Sequence, residues 1–267
     1  MKIDILKWII SPEGVVITGC DQNFEGAMAI PRSIDGVPVV EIGEKAFANC
    51  GTIVSVVIPD SVGIIGEGAF LECAGLKELH LGAGIKKIEG GAFVKCESLT
   101  SVEIPGSVES VGKYAFAWCK GLEELHLGAG IKKIERDAFA WCSSLNSVEI
   151  PGSVESVGGG AFFECSGLEE LHLGAGIKKI GFEAFPEGPS ADGFNRTGNF
   201  DALERATRIE GAVFDLFNPR SQMKFFEFGA FEEGPLADGF NRAGNFDALE
   251  RATPTEGAVF DLFNPRS

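Results

Sequence analysis

Phe47, Phe70, Phe93, Phe116, Phe139, Phe162 and Phe185 follow one another at a constant step of 23 residues. Cysteine keeps the same step, with Cys50, Cys73, Cys96, Cys119, Cys142 and Cys165 each three residues after a phenylalanine. Ile53, Leu76, Leu99, Leu122, Leu145 and Leu168 come three residues later still. Each unit then alternates, as in Leu122-Glu123-Glu124-Leu125-His126-Leu127, before a Pro or Gly and an apolar pair such as Ile131 and Ile134. Alternation marks a short strand, and Pro or Gly ends it. One strand in a unit this short cannot bury its own apolar side. Such units must stack into a parallel coil with one continuous core.

The full unit, I-P-x-S-V-x-x-(I/V)-G-x-x-A-F-x-x-C-x-x-L-x-x-V-x-I, runs almost without departure through Ile58 to Phe70 and Ile104 to Phe116. Both its length and its pattern resemble the BspA-like leucine-rich-repeat family. Ser11 to Gly19, then Ile30-Pro31 and Gly36 to Val40, is similar to that family's opening hairpin cap, so the resemblance covers roughly residues 10 to 185. The expected fold is an α/β leucine-rich-repeat solenoid of about six parallel coils. A cap and first partial coil would occupy residues 1–46, the solenoid 47–185, and an irregular duplicated tail 186–267. Members of the family are commonly secreted or surface-attached proteins that bind other proteins, so the resemblance implies a protein partner.

Charge narrows the partner. Asp and Glu outnumber Lys and Arg by 39 to 23, a formal charge of −16, which argues against nucleic acid and anionic membrane. No run approaches the roughly 18 apolar residues of a spanning helix. Met1 to Ile10 carries Asp4 and Lys7, and Trp8-Ile9-Ile10 is too short for the core of a cleavable leader, so none is expected. The compartment stays open.

A second period of 46 residues overlies the first. Leu79-His80-Leu81, Leu125-His126-Leu127 and Leu171-His172-Leu173 alternate with Val102-Glu103-Ile104 and Val148-Glu149-Ile150. The middle residue of each strand points away from the core, which predicts an outward column of His80, Glu103, His126, Glu149 and His172 at about 4.8 Å per rung. Lys86, Glu109, Lys132, Glu155 and Lys178 alternate in the same way. Such ladders contribute about 0.2–1 kcal/mol per pair.

The candidate binding surface is therefore the outward strand face: Glu78, His80, Ser101, Glu103, Glu124, His126, Ser147, Glu149, Glu170 and His172. Its acidity suggests a basic protein partner for a non-catalytic scaffold. Near-perfect repetition suggests an alternative, a recently expanded array with no dedicated ligand. A third reading places a metal or a metal-dependent hydrolase on the His/Glu column, since imidazole and carboxylate suit zinc, although flat parallel rungs do not readily give a tetrahedron. The cysteine column admits redox or metal chemistry, against which each Cys occupies a core position where a thiol acts as a small apolar filler. No phosphate loop, G-x-S-x-G elbow or nucleophile with its own histidine is present, so neither an enzyme nor a cofactor is expected. The final strand, residues 168–173, is a candidate edge for self-association.

After Phe185 the 23-residue step fails while the 46-residue step persists, with Pro186 to Ser221 recurring as Glu232 to Ser267. Tail residues pair in reverse order with solenoid residues as reverse-complement codons: Met223 with His126, Gln222 with Leu127, Phe214 with Glu135 and Phe200 with Glu149. The tail is accordingly expected to translate the opposite strand of the same repeat. Nothing then makes its local preferences agree with a fold. Short helices at 200–206 and 246–252 are the most that is expected of it.

Overall fold

The computed structural model describes residues 5–181 and 183–185, with the backbone of two further short strands in the tail. A hairpin opens the chain: β1 (Leu6–Ile10) runs antiparallel to β2 (Val15–Cys20) across a turn in which Ser11 and Gly14 exchange backbone hydrogen bonds. β3 (Gly26–Ala29) follows, then β4 (Ser33–Ile34), which folds back on β5 (Val37–Ile42) through Asp35 and Gly36, both at positive φ as a tight two-residue hairpin requires. β5 lies parallel to β2 and is already the first rung of the coil.

From there each turn contributes two strands. The longer ones are β6 (Ile53–Val57), β8 (Glu78–His80), β10 (Ser101–Ile104), β12 (Glu124–Leu127), β14 (Ser147–Ile150) and β16 (Glu170–Leu173). Between them fall the two-residue strands β7 (Ile64–Ile65), β9 (Lys87–Ile88), β11 (Ser110–Val111), β13 (Lys133–Ile134), β15 (Ser156–Val157) and β17 (Lys179–Ile180). The short strands stack in parallel on β5, and the order β5-β7-β9-β11-β13-β15-β17 gives seven rungs. One rung more than the periodicity suggested comes from the cap, whose Val37–Ile42 already occupies a coil position. The long strands form two parallel ladders, β3-β6-β8 and β10-β12-β14-β16.

The third side, Ala-Phe-x-x-Cys, is made of turns. Residues two before each phenylalanine (Lys45, Gly68, Gly91, Tyr114, Asp137, Gly160, Glu183) have φ of 51–65°. Those two after it (Asn49, Glu72, Lys95, Trp118, Trp141, Glu164) have φ of 56–62°. Two left-handed residues per turn forbid an α-helix. They also aim alternate amides at the next coil: Phe47 to Phe162 each donate to the Ala carbonyl one coil on at 2.7 Å, and Trp118 donates to Ala140 at 2.8 Å. The intervening amides close four-residue turns within the coil, as Cys119 N–H does on Phe116 O at 3.3 Å. Every side of the coil thus draws backbone partners from its neighbour. The α part of the expected α/β class has no counterpart among the described residues, and among them no helix is long and apolar enough to cross a membrane.

Inside, like stacks on like. The seven column phenylalanines are buried, with neighbouring ring centroids 4.9–5.6 Å apart and planes within 13° of parallel. All seven cysteines are buried thiols. Beyond filling space, Cys73, Cys96, Cys119, Cys142 and Cys165 each donate to the carbonyl of the phenylalanine 26 residues earlier, at 3.0–3.3 Å. Burial pushes the Cys73 thiol up to about 12, and raises Cys96 and Cys142 well above the ordinary value, with a neighbouring thiol adding to each.

The 46-residue period corresponds to two kinds of corner. In one kind of coil a Pro-x-Ser corner ends the strand, and Ser107 and Ser153 donate to the carbonyls of Ile85 and Ile131 in the coil before, at 2.7 and 2.8 Å. In the other kind the corner is Gly-Ala-Gly, and a Cβ on Gly130 would overlap the Gly106 carbonyl oxygen beneath it. Gly106 itself faces open space, its nearest neighbour 3.8 Å from where a Cβ would sit.

In the tail, Ala212–Phe214 and Phe225–Glu227 pair antiparallel as β18 and β19, where irregular chain was expected. The chain divides into compact units at Met1–Gly229 and Ala230–Ser267, the second wholly outside the described residues. The expected helices at 200–206 and 246–252, and the reverse-complement origin of the tail, also concern residues outside those described.

Gly130→Ala lowers the stability by about 1–3 kcal/mol through backbone overlap while Gly106→Ala changes it by less than about 0.5 kcal/mol, as measured by urea denaturation. The unfolded chain releases its thiol protons near pH 9, whereas folded Cys73 holds its proton to about pH 12. Raising the pH through that window therefore favours unfolding, and the slope of stability against pH from 9 to 10.5 is shallower in Cys73→Ala.

Candidate functional site

The long strands place their even and odd residues on opposite faces. In β10, Val102 and Ile104 are buried while Ser101 and Glu103 are exposed, and β12, β14 and β16 repeat the pattern. Glu78, His80, Ser101, Glu103, Glu124, His126, Ser147, Glu149 and Glu170 are all exposed, and His172 is partly so. In-register pairing aligns Ser101 with Glu124, Glu124 with Ser147, and Ser147 with Glu170. A second column aligns Glu103 with His126 and Glu149 with His172. Eight of the ten lie on the ladder β10-β12-β14-β16, while Glu78 and His80 lie on β8 at the end of the ladder β3-β6-β8.

Two features of this face depart from a simple ladder. Its columns begin in the cap, where Ala27 pairs with Ser55 and Ala29 with Val57, and Ser55 and Val57 then pair with Glu78 and His80. Val57 is 44% exposed, so the acidic ladder starts from an apolar rung. The His-Glu approach observed is also within a strand: His172 Nε2 lies 4.0 Å from Glu170 Oε2. Among the described residues no three His, Cys, Asp or Glu side chains gather closely enough to hold a metal ion.

The flanking column of Lys86, Glu109, Lys132, Glu155 and Lys178 is knitted by backbone bonds of 2.8–2.9 Å from each residue to the one before it. Glu155 and Lys178 close to 3.1 Å. Lys95 bonds Glu72 at 2.5 Å and Lys120 bonds Glu97 at 3.2 Å, both across neighbouring coils, with about half of each side chain in solvent. Exposed pairs of this kind contribute at most about 1 kcal/mol.

Sequence reading passed over a second surface. At the left-handed corner, Trp118 and Trp141 stack 4.2 Å apart and Phe163 meets Trp141 edge-on at 5.3 Å. Nearby, Arg136 Nε donates to Asp137 Oδ2 at 2.9 Å, and a hydrogen bond to Asp137 raises the Tyr114 hydroxyl above its ordinary pKa. The 23-residue step would have revealed the Trp118–Trp141 stack, because that position holds Glu72 and Lys95 in the preceding coils.

A stack of parallel two-strand turns, with a phenylalanine spine and an outward strand face, defines a leucine-rich-repeat protein. Residues 40–140 and 132–207 match the BspA type leucine rich repeat region in six copies, and the chain belongs to that family. The chain is 32% identical to a leucine-rich-repeat protein of T. pallidum known from its crystal structure, with a TM-score of 0.64, over 68% of this chain and 85% of that one. A leucine-rich-repeat protein from Bacteroides ovatus (24% identity, TM-score 0.50) and the pneumococcal vaccine antigen PcpA (23%, TM-score 0.53) share the fold. They are matched over 68% and 64% of this chain, which spans 55% and 51% of theirs. No curated protein matches the chain. Leucine-rich-repeat proteins are, as a class, scaffolds that bind other proteins and typically lack catalysis.

Proposed function

We propose that the outward strand face is a docking surface for a basic segment of a protein partner. What carries the reading is the continuous in-register column Ser101–Glu124–Ser147–Glu170 beside Glu103, His126, Glu149 and His172, repeated at the spacing of the strands. An extended peptide laid across the coils meets a carboxylate at intervals of two rungs, about 9–10 Å, on each column. That spacing suits the long, flexible reach of Lys and Arg. Val57 and the small Ala27 and Ala29 at the N-terminal end offer an apolar anchor next to the charge. Complementary charge contributes mainly to encounter rate and register, and the apolar rung contributes to residence.

The near-identity of the coils favours the second reading, an array in which no coil is specialised for a ligand. A single binding experiment separates the two. A fluorescent 12-residue Lys/Arg-rich peptide is titrated against the intact chain by anisotropy. Docking predicts saturable binding that weakens with salt and falls at least about tenfold when Glu78, Glu103, Glu124, Glu149 and Glu170 are changed to Gln. Equal affinity for the wild type and the five-fold variant, both with unchanged circular dichroism, refutes the face.

A further inference from the structure

Six of the seven cysteines keep the 23-residue step, and Cys20 does not. The column thiols from Cys73 onward each donate to a phenylalanine carbonyl 26 residues earlier. For Cys50 the equivalent acceptor is the Phe24 carbonyl, which Thr52 Oγ1 already occupies at 2.7 Å. Cys50 turns elsewhere: its sulfur lies 2.9 Å from that of Cys20, against about 2.0 Å for a sulfur–sulfur bond. Cys20 ends β2 in the cap, and Cys50 closes the first Ala46-Phe47 turn. Both are buried, beneath the exposed side chain of Gln22, whose Nε2 donates to Cys50 Sγ at 3.5 Å.

We propose that Cys20 and Cys50 are a redox site: they join as a disulfide that clamps the N-terminal hairpin to the first coil, while the other five cysteines stay thiols. The oxidant is a low-molecular-weight disulfide such as oxidised glutathione. Cys50, as thiolate, attacks one glutathione sulfur and the other leaves as glutathione thiolate. Cys20 then loses its proton and attacks the Cys50 sulfur of the mixed disulfide, releasing the second glutathione. Two protein thiols and one glutathione disulfide become one protein disulfide and two molecules of glutathione.

The pair is asymmetric in the sense this order needs. The hydrogen bond from Cys20 lowers the pKa of Cys50, against burial and with help from Gln22, and the same bond together with burial raises that of Cys20. Cys96 and Cys142, by contrast, are held as neutral thiols chiefly by burial. The bond would also close a long loop between the cap and the solenoid, where cross-linking restricts the unfolded chain most effectively.

The test equilibrates the intact chain with oxidised or reduced glutathione, quenches in acid, and alkylates it in denaturant. Of the seven cysteines, five take the label after oxidation and seven after reduction, and peptide mapping joins the Cys20 peptide to the Cys50 peptide. The oxidised form melts about 5 °C or more higher. Cys20→Ser removes both effects; should that variant not fold, mapping and melting of the wild type decide. Seven labels after oxidation, a bond between any other cysteines, or equal melting temperatures with the bond in place overturns the proposal.

Discussion

Each 23-residue coil depends on its neighbour for the partners of its own backbone. On the strand sides this is an ordinary parallel ladder. On the phenylalanine side the same demand is met by turning two residues per coil into the left-handed region, so that alternate amides reach the next coil while the others close short turns. Residues such as Trp118 and Glu72 adopt that conformation against their intrinsic preference, and the inter-coil hydrogen bonds hold them there. Once the backbone is locked at one step per coil, equivalent side chains must meet. Stacked phenylalanines, thiols bonded to carbonyls one coil away, and glycines laid over carbonyls are consequences of that register.

The core and the outward face were legible from sequence because both depend on a period. Phe116, Cys119, Leu122 and Leu125 recur at the same phase in every unit, and alternation around Leu125 tells which neighbours point outward. Sign of φ leaves only a broken mark. Asn49, Gly68, Gly91 and Gly160 mark some of the left-handed positions, but Lys95, Trp118 and Trp141 hold others, so no unit carries the signal at both positions. Hydrogen bonds that cross coils were equally hidden, since Cys119 to Phe93 or Ser107 to Ile85 requires knowing how far one turn shifts against the next. The apolar start of the face at Val57 went unseen because it lies in a less regular first coil. The stacking of Trp118 on Trp141 needed only the step already in hand, whereas Phe163 falls one residue short of it.

Function is less tightly determined than fold for a physical reason. The residues that stack the coils are buried and cannot choose a partner, and those that could choose one are nearly the same on every second rung. What distinguishes one end of the molecule from the other is the cap, with its exposed Val57 and the Cys20–Cys50 contact, and the aromatic corner at Trp118 and Trp141. In the proposed docking role, the acidic strand face would supply breadth and register for binding. Selectivity would come from those departures.

Removing one whole coil tests the account most directly. Deleting residues 105–127 takes out 23 residues and brings Ile104 onto Gly128, which keeps every column in phase. Deleting 105–126 instead leaves one residue too many and shifts each later side chain to the wrong position. The account predicts that the 23-residue deletion folds with unchanged strand signal in circular dichroism, unfolds cooperatively, and has a lower urea m-value in proportion to the lost coil, whereas the 22-residue deletion does not fold cooperatively. Equal behaviour of the two deletions would contradict it.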